Sequence, residues 1–291
     1  MKLVGKIMRR LEKYCGKWRL QWLNVLLKRG KYDNNDTVAR LQFDAEWESR
    51  IQKVILAGCN ASIPRVANAG RIHNGFQTMH NGLEISTGDY YGLPIAKMLY
   101  LNKGVHEPEE EKIFQSILAK LPANPVMVEM GAYWSFYSMW FLKETTDGKV
   151  YMIEPETKNL AVGEKNFRKN NLTGTFDNYF VSSKSGPGKP PVISLDDYAS
   201  AKGISHINIA HCDIQGFEME MLQGAALLLA ARRIDYFFIS THTNDLHYAC
   251  IGQLERSGYE IAFQLDLDKV SSFDGLIVAI SPAVADKHVL A

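Results

Sequence analysis

The stretch "VMVEMGAYWSFYSMWF", residues 126–141, decides how the chain is read. An apolar run ends in the acid Glu129, a small-residue turn follows at Gly131-Ala132, and an apolar helix begins soon after. This strand–turn–helix order opens a nucleotide-binding sheet. A pyrophosphate-cradling loop needs several glycines, and here only Gly131 is present, followed by bulky Tyr133 and Trp134. The turn therefore suits a smaller anion, such as a carboxylate, bound through backbone N–H groups at a helix start. Glu129 beside it suits an ammonium group. Together these describe the amino-acid end of a ligand rather than a phosphate.

Downstream the strand–helix alternation continues. Strands are expected near 126–130, 149–154, 176–181, 206–212 and 234–241, and helices near 134–145, 157–170, 194–202, 216–231 and 245–257. Such alternation implies a parallel sheet with helices on both faces. The end differs, because "GYEIAFQL" (258–265) and "GLIVAIS" (275–281) are strands with no helix between them. A pair without a crossover must be antiparallel. The expected fold is α/β, a Rossmann-like seven-stranded sheet with its last strand antiparallel. That is the architecture of class I methyltransferases that use S-adenosylmethionine.

Upstream, "MKLVGKIMRRLEKYCGKWRLQWLNVLLKRGK" (1–31) carries ten Lys/Arg and one acid, a charge of +9, so a chain of net charge +1 has −8 in the remainder. Val4, Ile7, Leu11, Tyr14, Trp18, Trp22 and Val25 recur at helical spacing with Lys2, Lys6, Arg9, Arg10, Lys13 and Lys17 between them. A basic amphipathic helix with two Trp suits an anionic membrane surface; the alternative is a helix packed on its own domain. No nucleic-acid motif accompanies it. A second helix is expected from Asn35 or Asp36 through Val38, Leu41, Trp47, Ile51 and Val54, then a turn-rich segment with His-Asn-Gly at 73–75 and 80–82. Pro108 suits the first position of a helix in "HEPEEEKIFQSILAKL", whose acids favour its positive end. Residues 1–80 thus read as a mainly helical extension and 81–291 as the catalytic domain. Cys15, Cys59, Cys212 and Cys250 show no CxxC spacing, which fits a reducing cytosol. No apolar run reaches membrane-spanning length. The expected location is cytoplasmic, with a peripheral contact at the inner membrane face.

In an open α/β sheet, ligands bind beyond the carboxyl ends of the strands. "VYMIEPE" ends its strand with Glu154, 25 residues after Glu129, where an acid accepts ribose hydroxyls. The fourth strand ends at His211, Cys212 and Asp213, and the fifth reaches His242. His242 is the first expected base and His211 the second, with Asp213 as orienter. The expected cofactor-binding set is Glu129, Gly131, Ala132, Tyr133, Ser135, Glu154, Ser182 and Asp213. The Gly/Pro-rich loop 182–191 is expected to border the acceptor pocket.

From about residue 80 onward the chain resembles the FkbM family of methyltransferases, in a subgroup with an N-terminal extension. The resemblance rests on "VMVEMGAYWSFYSMWF", "VYMIEPE", "VISLDDYA" (192–199), "INIAHCDIQGFEMEMLQGA" (207–225) and the fifth-strand tip, in that order. "YYG" (90–92) and "GVHEPEEEKIF" (104–114) resemble the subgroup. Tyr133 and Ser135 stand where the family has Asn and Gly. His211 and Gln215 stand where it has Lys and Glu, and Ser240 where it has Glu. The resemblance implies S-adenosylmethionine as cofactor and a sugar, glycan or natural-product hydroxyl as acceptor. No metal ligand set is expected, because Gln215 and Ser240 remove two carboxylates, leaving a divalent metal undecided. Two rivals stand beside this reading. One is a catalytically inactive binding or scaffold protein on the same fold. The other, an NAD(P)-dependent oxidoreductase, lacks its three glycines.

Overall fold

The computed structural model describes residues 16–30 and 35–285. Val4, Ile7, Leu11, Tyr14 and Cys15 lie outside the described residues. The chain forms two compact units: residues up to Ile55 with Pro64–His106, and Leu56–Ile63 with Glu107 onward.

The first unit contains α1 (Gly16–Lys28), α2 (Asn35–Ala39), α3 (Ala45–Leu56), β1 (Ile72–His73), β2 (Phe76–Thr78), β3 (Glu84–Ser86) and α4 (Leu93–Leu101). Leu23 and Leu27 of α1 pack with Val38, Leu41, Ile72, Leu93 and Ala96. Trp22 and Val25, expected on the apolar seam, are exposed instead. The helix is apolar around much of its circumference, so its periodicity alone does not choose the stripe. The single helix expected over 35–54 is two. Asp44 starts the second by accepting the Trp47 N–H at 2.9 Å, and Lys97 Nζ donates to Leu41 O at 2.7 Å and to Glu48. The β1–β2 hairpin turns at Asn74-Gly75, both at positive φ (49° and 82°), as a two-residue turn demands. The expected boundary at 80/81 falls between β2 and β3, inside this unit, because Ile72 and Leu93 share the core of Leu23.

In the second unit, α5 (Pro108–Leu118) precedes β4 (Val126–Met130), α6 (Phe136–Glu144), β5 (Lys149–Ile153), α7 (Thr157–Lys169) and β6 (Thr175–Asp177). Then come β7 (Phe180–Val181), β8 (Val192–Ile193), α8 (Leu195–Lys202), β9 (Ile207–Cys212), α9 (Glu218–Gln223) and α10 (Ala226–Ala230). β10 (Ile234–Thr241), α11 (Asn244–Arg256), β11 (Glu260–Leu265), β12 (Gly275–Ile280) and α12 (Pro282–Ala285) complete it. The seven-stranded sheet has the order β11-β12-β10-β9-β4-β5-β6. β12 runs antiparallel to both neighbours, and the β10–β9–β4–β5–β6 ladder is parallel. β9, β10 and β12 are buried along their whole length, as continuous apolar runs in a covered sheet should be. Val128, Met130, Ala210, Phe237, Ile239 and Ile277 join four strands into one core. Each large side chain there contributes about 1.5–3 kcal/mol.

Two expected elements are divided. The strand at 176–181 becomes β6 in the main sheet and β7 in a two-stranded parallel ribbon with β8. The helix at 216–231 becomes α9 and α10, broken at Gly224-Ala225. A Cβ on Gly224 would lie 2.4 Å from Ser182 O, so close backbone packing sets the break. Glu110 and Glu111, read as a dipole-favouring charge run, are buried.

Candidate active site

Gly131 closes β4 at φ 74°, and a Cβ there would lie 1.7 Å from Asp213 O. Only glycine permits this approach. It brings the β4 turn against the segment leaving β9, where the Asp213 N–H donates to Met130 O at 3.0 Å. The glycine-poor turn keeps a glycine-like backbone beyond Gly131: Tyr133 (φ 33°) and Ser135 (φ 57°) both have positive φ. Its N–H groups are used differently from expectation. Gly131 and Ala132 donate to Ile153 O, Tyr133 N donates to Glu154 Oε2 at 3.1 Å, and Ser135 N donates to Ala132 O.

Glu154 stands at the tip of β5, almost wholly buried. Its Oε1 accepts the Glu156 N–H at 2.8 Å, and Asn178 Nδ2 donates to its main-chain oxygen at 2.9 Å. Burial raises its carboxyl above the ordinary range against the hydrogen bonds from the Glu156 and Tyr133 N–H groups and from Asn159. Each carboxylate oxygen offers two lone-pair directions, so the anchored Glu154 retains capacity for ribose hydroxyls. Nearby, Ser135 Oγ is buried with no hydrogen-bond partner, a polar atom available to a ligand. These features fit the adenosine-and-amino-acid cofactor read from the sequence. Ala132 is buried, and Ser182, half-buried, uses its N–H on Ile193 O.

Glu129, expected to pair with an ammonium, is engaged by neighbours inside the fold. It is buried, accepts the Ser138 N–H at 3.2 Å, and pairs in register with His211 on β9. Burial pushes its carboxyl up to about 7, although His211 and the Ser138 hydrogen bonds pull it down. His211 Nε2 lies 2.7 Å from Glu110 Oε1, both side chains buried, and its ring packs on Tyr137. Burial alone would lower His211, but Glu110 above all, then Glu129 and Glu107, lift it to about 9. Buried and paired with Glu110, His211 is held toward its protonated form, which counts against the role of second base expected for it.

At the carboxyl edge, Asp213, His242 and Asp274 converge. His242 Nε2 lies 3.3 Å from Asp213 Oδ1 and 3.5 Å from Asp274 Oδ1, while Nδ1 lies 3.1 Å from Glu218 Oε1. Glu218 is fully buried at the start of α9 and also accepts the N–H groups of Ile214 and Gly216. Burial would lower His242, but the contacts with Asp213 and Glu218 and the charge of Asp274 raise it to about 10. Surrounded by three carboxylates, His242 is held toward its protonated form, which counts against the role of base expected for it. Asp274 is pushed up to about 7 by burial and by Asp213, with His242 opposing.

Sequence reading brought Asp213 and His242 together and missed Asp274 and Glu110. The signal for Asp274 lay in the reversed strand. Because β12 is antiparallel to β10 with Thr241 opposite Gly275, the residue before β12 stands beside the residue after β10. For Glu110 nothing local distinguished a buried acid from a solvated one in the same charge run.

The strand order, the Gly131 turn and the acid-tipped second strand define a class I methyltransferase. Residues 116–261, half of the chain, match the FkbM methyltransferase domain. The chain belongs to this family and is an S-adenosylmethionine-dependent methyltransferase. No curated protein matches it in sequence. Among solved structures, M. capricolum TrmK in complex with S-adenosylhomocysteine is 14% identical, with a TM-score of 0.40 over 58% of this chain and 68% of that one. Precorrin-6y C5,15-methyltransferase from Geobacter metallireducens GS-15 is 18% identical, with a TM-score of 0.39 over 58% and 87%. A SAM-dependent methyltransferase from Aquifex aeolicus is 13% identical, with a TM-score of 0.39 over 60% and 94%.

Proposed function

We propose that the protein methylates a hydroxyl oxygen of a sugar, glycan or natural-product acceptor. S-adenosylmethionine, when bound, supplies an electrophilic methyl group. Glu154 holds the ribose, and the Ser135 hydroxyl, left without a partner in the Gly131–Ser135 turn, meets the amino-acid tail. A neutral hydroxyl is a poor nucleophile, so the acceptor must be aligned and its proton drawn away. The observation that carries this reading is the contiguity of the two halves. Gly131 packs on the backbone of Asp213, and the Asp213 and Asp274 carboxylates, each a quarter exposed, remain open to an incoming hydroxyl. His242 holds these carboxylates in place by charge, and Glu218 holds His242.

The basic segment 1–31 fits this reading as a contact with anionic lipid, which would bring the enzyme to a membrane-associated glycan acceptor. Among the described residues no helix is long and apolar enough to cross a membrane.

The test is a screen of hydroxyl-bearing acceptors for S-adenosylhomocysteine release, with the product's methyl position assigned by NMR. An O-methyl product whose formation falls at least a hundredfold in Asp213→Asn supports the reading. Methylation only on nitrogen or carbon rejects it, and cofactor binding with no turnover on any acceptor favours the scaffold alternative.

A further inference from the structure

We propose that the first unit holds a binding site for an organic phosphate, in a cavity walled by Arg65, Arg71 and Lys103. The cavity measures about 560 Å³, and these three cations line it with no acid among its lining residues. A space of that size takes a small organic molecule, and a bare phosphate fills only part of it. Val66 and Leu101, both exposed, and the Tyr100 ring supply apolar surface for the rest of the ligand.

Two walls form the cavity, and the fold fixes both. In the first, the Gly70 N–H donates to Thr78 O at 2.7 Å and the Thr78 N–H to Arg71 O at 2.9 Å, which ties it to β2. The buried Gln77 Nε2 donates to Gly70 O and to Ala96 O, both at 2.9 Å, and so joins this wall to α4. A Cβ on Gly70 would lie 2.6 Å from Leu99 O, so only glycine allows the approach to the end of α4. That end is the second wall. There the Gly104 N–H donates to Leu99 O at 2.7 Å and the Lys103 N–H to Tyr100 O at 3.4 Å. Helices closed in this way usually carry glycine at the position that Lys103 holds with φ 51°.

The charge around the cavity exceeds what the fold requires. The carbonyl end of α4 attracts a cation, and Arg65 meets that need by donating from Nε to Asn102 O at 3.4 Å. The Arg71 guanidinium sits 5.5 Å from the centre of the Tyr100 ring and donates to its hydroxyl at 3.3 Å. These contacts orient it and leave further N–H groups open. Among the described residues neither Arg71 nor Lys103 makes an ion pair. The chain beyond residue 31 carries −8, so three cations around one cavity run against the sign of their surroundings. A phosphate monoester answers them with a charge of about −1.5 to −2 and three acceptor oxygens, which suit the paired donors of arginine. A carboxylate brings less charge and fewer oxygens. All the lining residues belong to the first unit, so occupancy of the cavity does not depend on which acceptor is methylated.

The experiment titrates the full chain by calorimetry at low salt with inorganic phosphate, glucose 1-phosphate and monomeric dibutanoyl phosphatidate. Saturable binding of one ester per chain is expected, at least fivefold tighter than inorganic phosphate. Preference for glucose 1-phosphate assigns a soluble sugar phosphate, and preference for the phosphatidate assigns a lipid headgroup. Lys103→Gly removes a cation and relieves the left-handed backbone, so it should weaken binding at least fivefold with no loss of stability in urea. Arg71→Gln should weaken binding as much. Replacing Lys2, Lys6, Arg9, Arg10 and Lys13 by Gln should leave it unchanged, which separates the cavity from the basic segment. No saturable binding by the wild type, binding lost with the basic segment, or full affinity in either cavity variant overturns the site. Inorganic phosphate bound as tightly as both esters rejects an organic ligand.

Discussion

Ser135 occupies a left-handed conformation that favours glycine, with its hydroxyl buried and unpaired. Both facts make it costly. Ser135→Gly is therefore expected to raise unfolding stability by about 1–2 kcal/mol in urea titration. A loss would mean that the hydroxyl has a partner in solution. Glu154 is the opposite case, a buried acid whose cost the proposed ribose contact would balance. Glu154→Ala removes a charged acceptor and frees Tyr133 N, so S-adenosylhomocysteine affinity should fall at least tenfold by calorimetry, on the order of 1.5–3 kcal/mol. Unchanged affinity would detach Glu154 from the cofactor. Glu154 was legible because an acid after an apolar strand is a local pattern. The charge of His242 was not, since it depends on Asp274 and Glu218, which lie 32 and 24 residues away in sequence.

Between elements, the His211–Glu110 pair ties β9 to α5, with Glu129 on β4 adding its charge. His211 has a folded value of about 9 against an ordinary 6.5, so its protonated form stabilises the fold fully below about 6.5. That contribution is lost as pH rises through about 9. The unfolding free energy of the wild type should fall between pH 7 and 9, and Glu110→Gln should reduce that fall by on the order of 1–2 kcal/mol. His242, raised in the same direction, supplies the slope that persists in the variant. Identical slopes in the two proteins would show that Glu110 does not hold His211 charged. α7 offers a second element-scale test. A Cβ on Gly163 would lie 2.4 Å from Ser135 Oγ, so Gly163→Ala should cost less stability in the Ser135→Gly background than alone. Additive losses would place the clash on the Tyr133 backbone oxygen instead. Element existence was legible from apolar period. Breaks at Asp44 and Gly224, and the stripe that α1 buries, were not, because capping contacts and packing partners decide them.

Across the whole molecule, the chain sets a segment of charge +9 against a remainder of −8. Near an anionic leaflet each Lys or Arg contributes about 1 kcal/mol, screened by salt. The protein should co-sediment with phosphatidylserine vesicles at low salt and be released at high salt. Replacing Lys2, Lys6, Arg9, Arg10 and Lys13 by Gln should abolish the binding. Failure of the wild type to co-sediment would remove lipid as the partner. By itself the sequence determined a seven-stranded α/β sheet with its last strand reversed, and the strand ends at which a ligand is expected. Those follow from local rules: apolar runs that must be covered, acids that terminate strands, and a connection too short to be parallel. Only the tertiary structure decided that Asp274 joins Asp213 and His242, that His211 is locked to Glu110, and which face of α1 is buried. Each depends on strand register, burial and the charge of distant neighbours, which exist only once the chain has closed on itself.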